Sequence, residues 1–124
     1  MKQITLLFLF LVSLLSCNGQ VAESEVLRTL AAKETTVIVD VRTPEEYKEG
    51  HFDKSVNIPL PILSDSIAAL RKYENIIVIC KSGGRAGKAK KRLEESEFTN
   101  VYNGGGWLSL KALLEEETGE SEPQ

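Results

Sequence analysis

The hydrophobic positions of this chain fall into three kinds of pattern. The first is a single apolar run near the N-terminus, from Ile4 to Leu15, interrupted only by Thr5 and Ser13. The second is a pair of short β-branched runs, Val37-Ile38-Val39-Asp40-Val41 and Ile76-Ile77-Val78-Ile79. Runs this short and this continuous read as strands buried on both faces. The third is spacing by three and four, the signature of a helix with one apolar side. It occurs at Val26, Leu27, Leu30 and Ala31 within Val21–Lys33, at Ile62, Leu63, Ile67 and Leu70 after Pro61, and at Leu110, Leu113 and Leu114 within Trp107–Glu117.

Polar residues punctuate these patterns. Thr43-Pro44-Glu45-Glu46 predicts a helix start, with Thr43 as N-cap, Pro44 at the first helical position and Glu46 closing a capping box. Gly50 is placed to stop that helix. Val56-Asn57-Ile58 reads as a brief strand ended by Pro59, Pro61 opens the next helix, and a further helix runs from the segment after Cys80 to about Ser96. Val101-Tyr102 reads as a short last strand, Gly104-Gly105-Gly106 as a loop, and 118–124 as an acidic tail. Strands alternating with helices predict an α/β fold, a small parallel sheet flanked by helices in three layers. In such folds the working site lies beyond the carboxyl ends of the strands. Asp40-Val41-Arg42 and the segment beginning at Cys80 both fall there.

A chain of 124 residues holds one such domain, and 42% hydrophobic with 27% charged residues is ordinary for a globular one. The net charge of −3 gives no bulk attraction to nucleic acid. Two cysteines cannot make a disulfide scaffold, and a single histidine leaves no protein metal site to expect. No cofactor is expected either.

The apolar run of about twelve residues is too short to span a membrane, which takes about 20. It has the length of a signal-peptide core, and it ends Leu14-Leu15-Ser16-Cys17, which resembles a bacterial lipoprotein box. The expected organisation is a signal peptide over 1–16, a lipidated Cys17 and polar tether over 17–22, a domain over 23–117 and the tail. An ordinary cleaved signal, with Cys17 incidental, is the alternative. On the lipoprotein reading the protein is exported and anchored to a membrane, facing the periplasm or cell exterior, and Cys80 is its only free thiol.

Cys80-Lys81-Ser82-Gly83-Gly84-Arg85 is the segment that carries chemistry. It ends a strand, turns at two glycines and enters a helix. Gly83 and Gly84 let the backbone turn tightly and point N–H groups inward. The helix adds the positive end of its dipole, and Lys81 and Arg85 add two formal charges. All three effects favour a thiolate and would also hold an anionic substrate. A buried, inert cysteine has no need of such a loop.

Four segments together resemble the rhodanese-like domain. They are Val39-Asp40-Val41-Arg42 with Pro44-Glu45-Glu46-Tyr47, then Gly50-His51 and Asn57-Ile58-Pro59, then the Cys80–Arg85 loop, then Asn100-Val101-Tyr102 with Gly104-Gly105-Gly106 and Trp107. The resemblance runs from about Glu23 to Glu117. It implies a sulfurtransferase in which Cys80 takes sulfur from a donor such as thiosulfate or a persulfide and passes it to a thiol or cyanide. It also implies that the backbone N–H groups from Lys81 to Arg85 stabilise the charged sulfur, that Lys81 steers the donor, and that Arg85 shapes the loop. Four residues separate Cys80 from Arg85, one fewer than in the related phosphatases and arsenate reductases, which disfavours phosphate chemistry. Ala86 stands where a serine is frequent.

Two alternatives remain open: a sulfur or redox relay serving a partner protein, with little turnover on small donors, and a silent docking module. His51 is either a base for Cys80 or, preferred, a hydrogen-bonded helix-end residue. Asp40 and Arg42 either bind substrate or, preferred, tie the strand end to nearby loops. Trp107 either flanks the site or anchors the last helix. The basic residues Arg85, Lys88, Lys90, Lys91 and Arg92 read as a solvated helix face that also attracts anionic donors rather than as a nucleic-acid surface.

Overall fold

The computed structural model describes residues 23–116. The apolar run, Cys17 with its tether, and the 118–124 tail lie outside the described residues. Helix α1 covers residues 23–31. It is followed by β1 (Thr36–Asp40), α2 (Pro44–Glu49), β2 (Ser55–Asn57), a 3-10 turn (Leu60–Ser66) running into α3 (Ile67–Leu70), β3 (Asn75–Cys80), α4 (Gly84–Glu95), β4 (Val101–Gly106) and α5 (Trp107–Glu115).

The four strands form one sheet in the order β2-β1-β3-β4, and every neighbouring pair is parallel. The sheet is sandwiched as the alternation of elements predicts. On one face Val37, Val39, Val41, Ile76 and Val78 pack with Leu63, Leu70, Ala86, Ala89 and Leu93. On the other, Ile38, Ile77 and Ile79 pack with Leu30 of α1, Leu110 of α5 and Phe52. Both faces of β1 and β3 are therefore buried, which is why their sequences are continuously apolar. The chain leaves β1 toward β2 on one side and later crosses to β3 on the other. The switch point, where such folds hold their ligands, lies between the carboxyl ends of β1 and β3.

The capping box at α2 forms as the sequence dictates: the Thr43 side chain accepts from the Glu46 N–H, and the Glu46 side chain accepts from the Thr43 N–H. Elsewhere the elements differ from expectation. Gly50 follows α2 in an extended conformation, φ 171°, so no left-handed turn stops the helix. The helix expected at Pro61 is instead the 3-10 turn followed by a single short α segment. Three residues per turn rotate Ile62 away from Leu63, leaving Ile62 half exposed while Leu63 is buried. Val26 also faces solvent, whereas Leu30 of the same helix is buried.

The largest correction concerns Gly104-Gly105-Gly106, expected as a loop. These residues continue β4, paired with β3 through a register shift at Val78/Ile79. The reason is close approach. A β-carbon at Gly104 would lie 2.8 Å from the side chains of Ile77 and Ile79, and one at Gly106 would lie 2.7 Å from the Lys81 carbonyl oxygen. Only a backbone without side chains can run this close to β3 and to the segment that follows it.

Candidate active site

The parallel register sets Asp40 opposite Ile79, and the Val41 N–H donates to the Ile79 carbonyl at 2.9 Å. The two segments singled out in the sequence thus meet at the switch point. Beyond β3 the chain turns through Lys81-Ser82-Gly83 into α4. Gly83 takes φ 99°, a left-handed conformation in which a side chain is strained. Gly84, the second glycine expected to shape the turn, already belongs to α4 and has no positive φ, and a β-carbon there would meet nothing within 4 Å.

The turn closes over Cys80. The Gly83 N–H donates to Cys80 Sγ at 2.9 Å, and the Ala86 N–H approaches it at 3.4 Å. Cys80 is 1% exposed. Two donors converge on the sulfur at the positive end of a helix of three turns, an arrangement that stabilises negative charge on it. Ala86 lies just past the Lys81–Arg85 span expected to supply donors, and its contribution depends on a helical geometry that begins one residue after Gly83.

The two loop cations differ. Lys81 is exposed and has no ion-pair partner among the described residues. Arg85 makes a two-pronged pair with Glu46, Nη1 to Oε1 at 2.6 Å and Nη2 to Oε2 at 2.9 Å. The hydrogen-bonded guanidinium holds the Glu46 carboxyl at about 2, against an ordinary 4.5. The Arg85 charge is accordingly balanced within the protein and does not stand free as expected. Glu46 does two jobs, and only the first shows in the local sequence: it closes the α2 capping box and it anchors the first turn of α4.

Asp40 and Arg42 are turned toward one another and buried. Arg42 Nη2 donates to Asp40 Oδ2 and to the Gly50 carbonyl, both at 2.8 Å, and its guanidinium stacks 4.7 Å from the Trp107 ring centre. Asn57 donates to the carbonyls of both Asp40 and Arg42 at 3.0 Å. These contacts tie the strand end, α2 and α5 together. Trp107 takes both of its expected roles: it packs against the core beside Leu110, and it lines, with Lys81, Glu49 and Leu108, a groove of about 450 Å³. His51 stacks on Tyr47 and bonds through Nδ1 to the Tyr47 carbonyl, a local helix-end role, and Ser82 is exposed.

The chain is 39% identical over 70 residues to the thiosulfate sulfurtransferase PspE of Escherichia coli (strain K12), covering 55% of this chain and 67% of that protein. It is 31% identical over 90 residues to the tRNA uridine(34) hydroxylase of Buchnera aphidicola, covering 68% of this chain but only 29% of the relative's length. Among solved structures, a rhodanese with anions from E. coli superposes with a TM-score of 0.55 at 36% identity, covering 60% of this chain and 89% of that one. The model of the rhodanese-like domain matches residues 23–112. A match running from the first described helix into the last means that this chain belongs to the rhodanese-like domain family.

Proposed function

We propose that this protein is a sulfurtransferase that carries sulfane sulfur on Cys80. The observation that carries the reading is the Gly83 N–H aimed at Cys80 Sγ at 2.9 Å at the switch point of the sheet. In the first half-reaction the Cys80 thiolate attacks the outer sulfur of thiosulfate. The new Cys80 S–S bond forms as the donor's own S–S bond breaks, and sulfite leaves with the electron pair. In the second, a nucleophile such as cyanide or a thiolate attacks the outer sulfur of the persulfide, and the electron pair returns to Cys80. Both steps begin and end with negative charge on sulfur, which is what the Gly83 and Ala86 N–H groups are placed to bind. Lys81, the unpaired cation beside the loop, attracts the donor anion. Thiosulfate is favoured as donor by the likeness to PspE, which covers more of that relative than of the longer hydroxylases.

The test is thiosulfate:cyanide sulfurtransfer by the purified chain and by Cys80→Ser, with intact mass read after donor alone. Wild type should gain one sulfur and turn over, and the variant should do neither. Absence of sulfur loading on wild type would refute the reading; loading without turnover would favour a relay to a protein acceptor.

The proposal extends to location. Leu14-Leu15-Ser16-Cys17 supports export and a lipid anchor on Cys17. Mass spectrometry of the mature protein from its host should find acylated Cys17, and an intact Met1 would refute it.

A further inference from the structure

We propose that Asn103, on β4, is a positioning residue of the sulfur cradle: its amide holds the Gly83 carbonyl and so aims the Gly83 N–H at Cys80 Sγ. The inference rests on the proposed role of Cys80, but its central readout does not.

Asn103 spans two backbone segments. Its Oδ1 accepts from the Gly105 N–H at 2.9 Å, and its Nδ2 donates to the Gly83 carbonyl at 3.2 Å. The Gly105 bond fixes which end of the amide is which: an N–H can only face oxygen, so the NH₂ must face Gly83. The same carbonyl accepts the first α4 bond, from the Gly87 N–H at 2.9 Å. Gly83 is therefore held from the strand side and from the helix side at once.

The position matters because Gly83 has no side chain to lock it and a φ of 99° that few residues share. With the carbonyl fixed and that conformation set, the N–H of the same residue is fixed too, and it points at the sulfur. The support behind Asn103 is the irregular part of the sheet. Val78 pairs with Asn103 while Ile79 pairs with Gly105, so the register shift lies between Val78 and Ile79, one residue short of Cys80. Bulges of this kind redirect a strand next to a site. Gly105 takes φ 77° there, and a β-carbon on Gly83 would touch Gly105 Cα at 3.4 Å, so the loop rests directly on the bulge. Asn103 is the side chain that joins the two.

Two substitutions in the full chain separate the bonds. Asn103→Asp keeps the acceptor for Gly105 and loses the donor to Gly83; Asn103→Ala loses both. Asn103 is exposed, so both variants should fold. The first readout is hydrogen exchange of the Gly83 amide by NMR, with the Val78 amide of β3 as internal reference. Gly83 protection should fall about tenfold in both variants while Val78 is unchanged. That is the loss of one hydrogen bond's worth of local stability, about 1.4 kcal/mol per factor of ten. The second readout is thiosulfate turnover, in which kcat should fall five- to tenfold with KM within twofold of wild type. Wild-type protection at Gly83 in both variants would overturn the proposal. So would an effect seen only in Asn103→Ala, which would place the residue's role in the bulge alone. If wild type takes up no sulfur, the function proposed for Cys80 fails, and Gly83 exchange still decides the role of Asn103.

Discussion

Replacing Glu46 by Gln removes one charge and little else. The amide oxygen can still accept from Thr43, so the capping box survives. The pair with Arg85 loses its ionic partner and becomes a contact between the guanidinium and a neutral amide, with at most one good hydrogen bond. The lowering of the Glu46 carboxyl from 4.5 to about 2 would, taken whole, correspond to about 3 kcal/mol of stability. The side chains of Arg85 and Glu46 are 33% and 30% exposed, so water competes for both charges. The expected cost of Glu46→Gln at pH 7 is therefore about 1 kcal/mol, or about 4–8 °C in Tm for a domain of this size. The pH dependence has a definite sign. The folded state keeps Glu46 ionised down to about 2, while the unfolded state protonates it near 4.5. Between those values the unfolded state binds more protons, so the contribution is full above about pH 5 and fades as pH falls toward 2. Urea unfolding of wild type and variant between pH 7 and pH 2.5 reads it directly. A stability difference that is absent at pH 7, or equally large at both ends of the range, would refute the ion-pair account.

Three further outcomes follow from the geometry. Gly106→Ala should fold but lose sulfurtransfer at least tenfold, because its β-carbon would press within 2.7 Å of the Lys81 carbonyl at the start of the loop; wild-type turnover would show that the loop has slack. Glu97, the only non-glycine residue with positive φ among those described, closes the end of α4 at φ 70°, and Glu97→Gly should raise stability by about 0.5–1 kcal/mol in urea unfolding; a loss would mean that the glutamate side chain matters more than the strain. Lys81→Ala should raise KM for thiosulfate several-fold and flatten its dependence on ionic strength, since Arg85 is already neutralised by Glu46; an unchanged salt dependence would remove Lys81 from donor capture.

Much of this was legible in the sequence because the relevant signals are local. β1 and β3 are buried on both faces, and that demands unbroken apolar runs. The α2 start is written in four consecutive residues. Cys80 stands out because a reactive loop needs its thiol, glycines and cations side by side. What escaped depends on distance or on close approach. The Glu46–Arg85 pair joins residues 39 positions apart, and no periodicity records such a partnership. β4 ends in three glycines that carry no hydrophobic signal, because the strand's place is set by what it must avoid touching. Asn103, between the expected strand and the expected loop, carries no sequence signal of its own for the same reason. Val26 and Ile62 fit a helical stripe on paper, but spacing by three and four does not tell a 3-10 turn from an α-helix, nor an edge from a core.

Cys80 is 1% exposed in the resting protein. Any reagent that meets the resting thiol, an oxidant or a sulfur donor alike, must first pass the turn that closes over it. A sulfur atom bound to Cys80 would stand about 2.05 Å farther along the chain of atoms. In the proposed persulfide the reacting atom is that outer sulfur, one bond beyond the buried one. On the proposed function, the same turn that must open to load Cys80 would also set how seldom an oxidant reaches it.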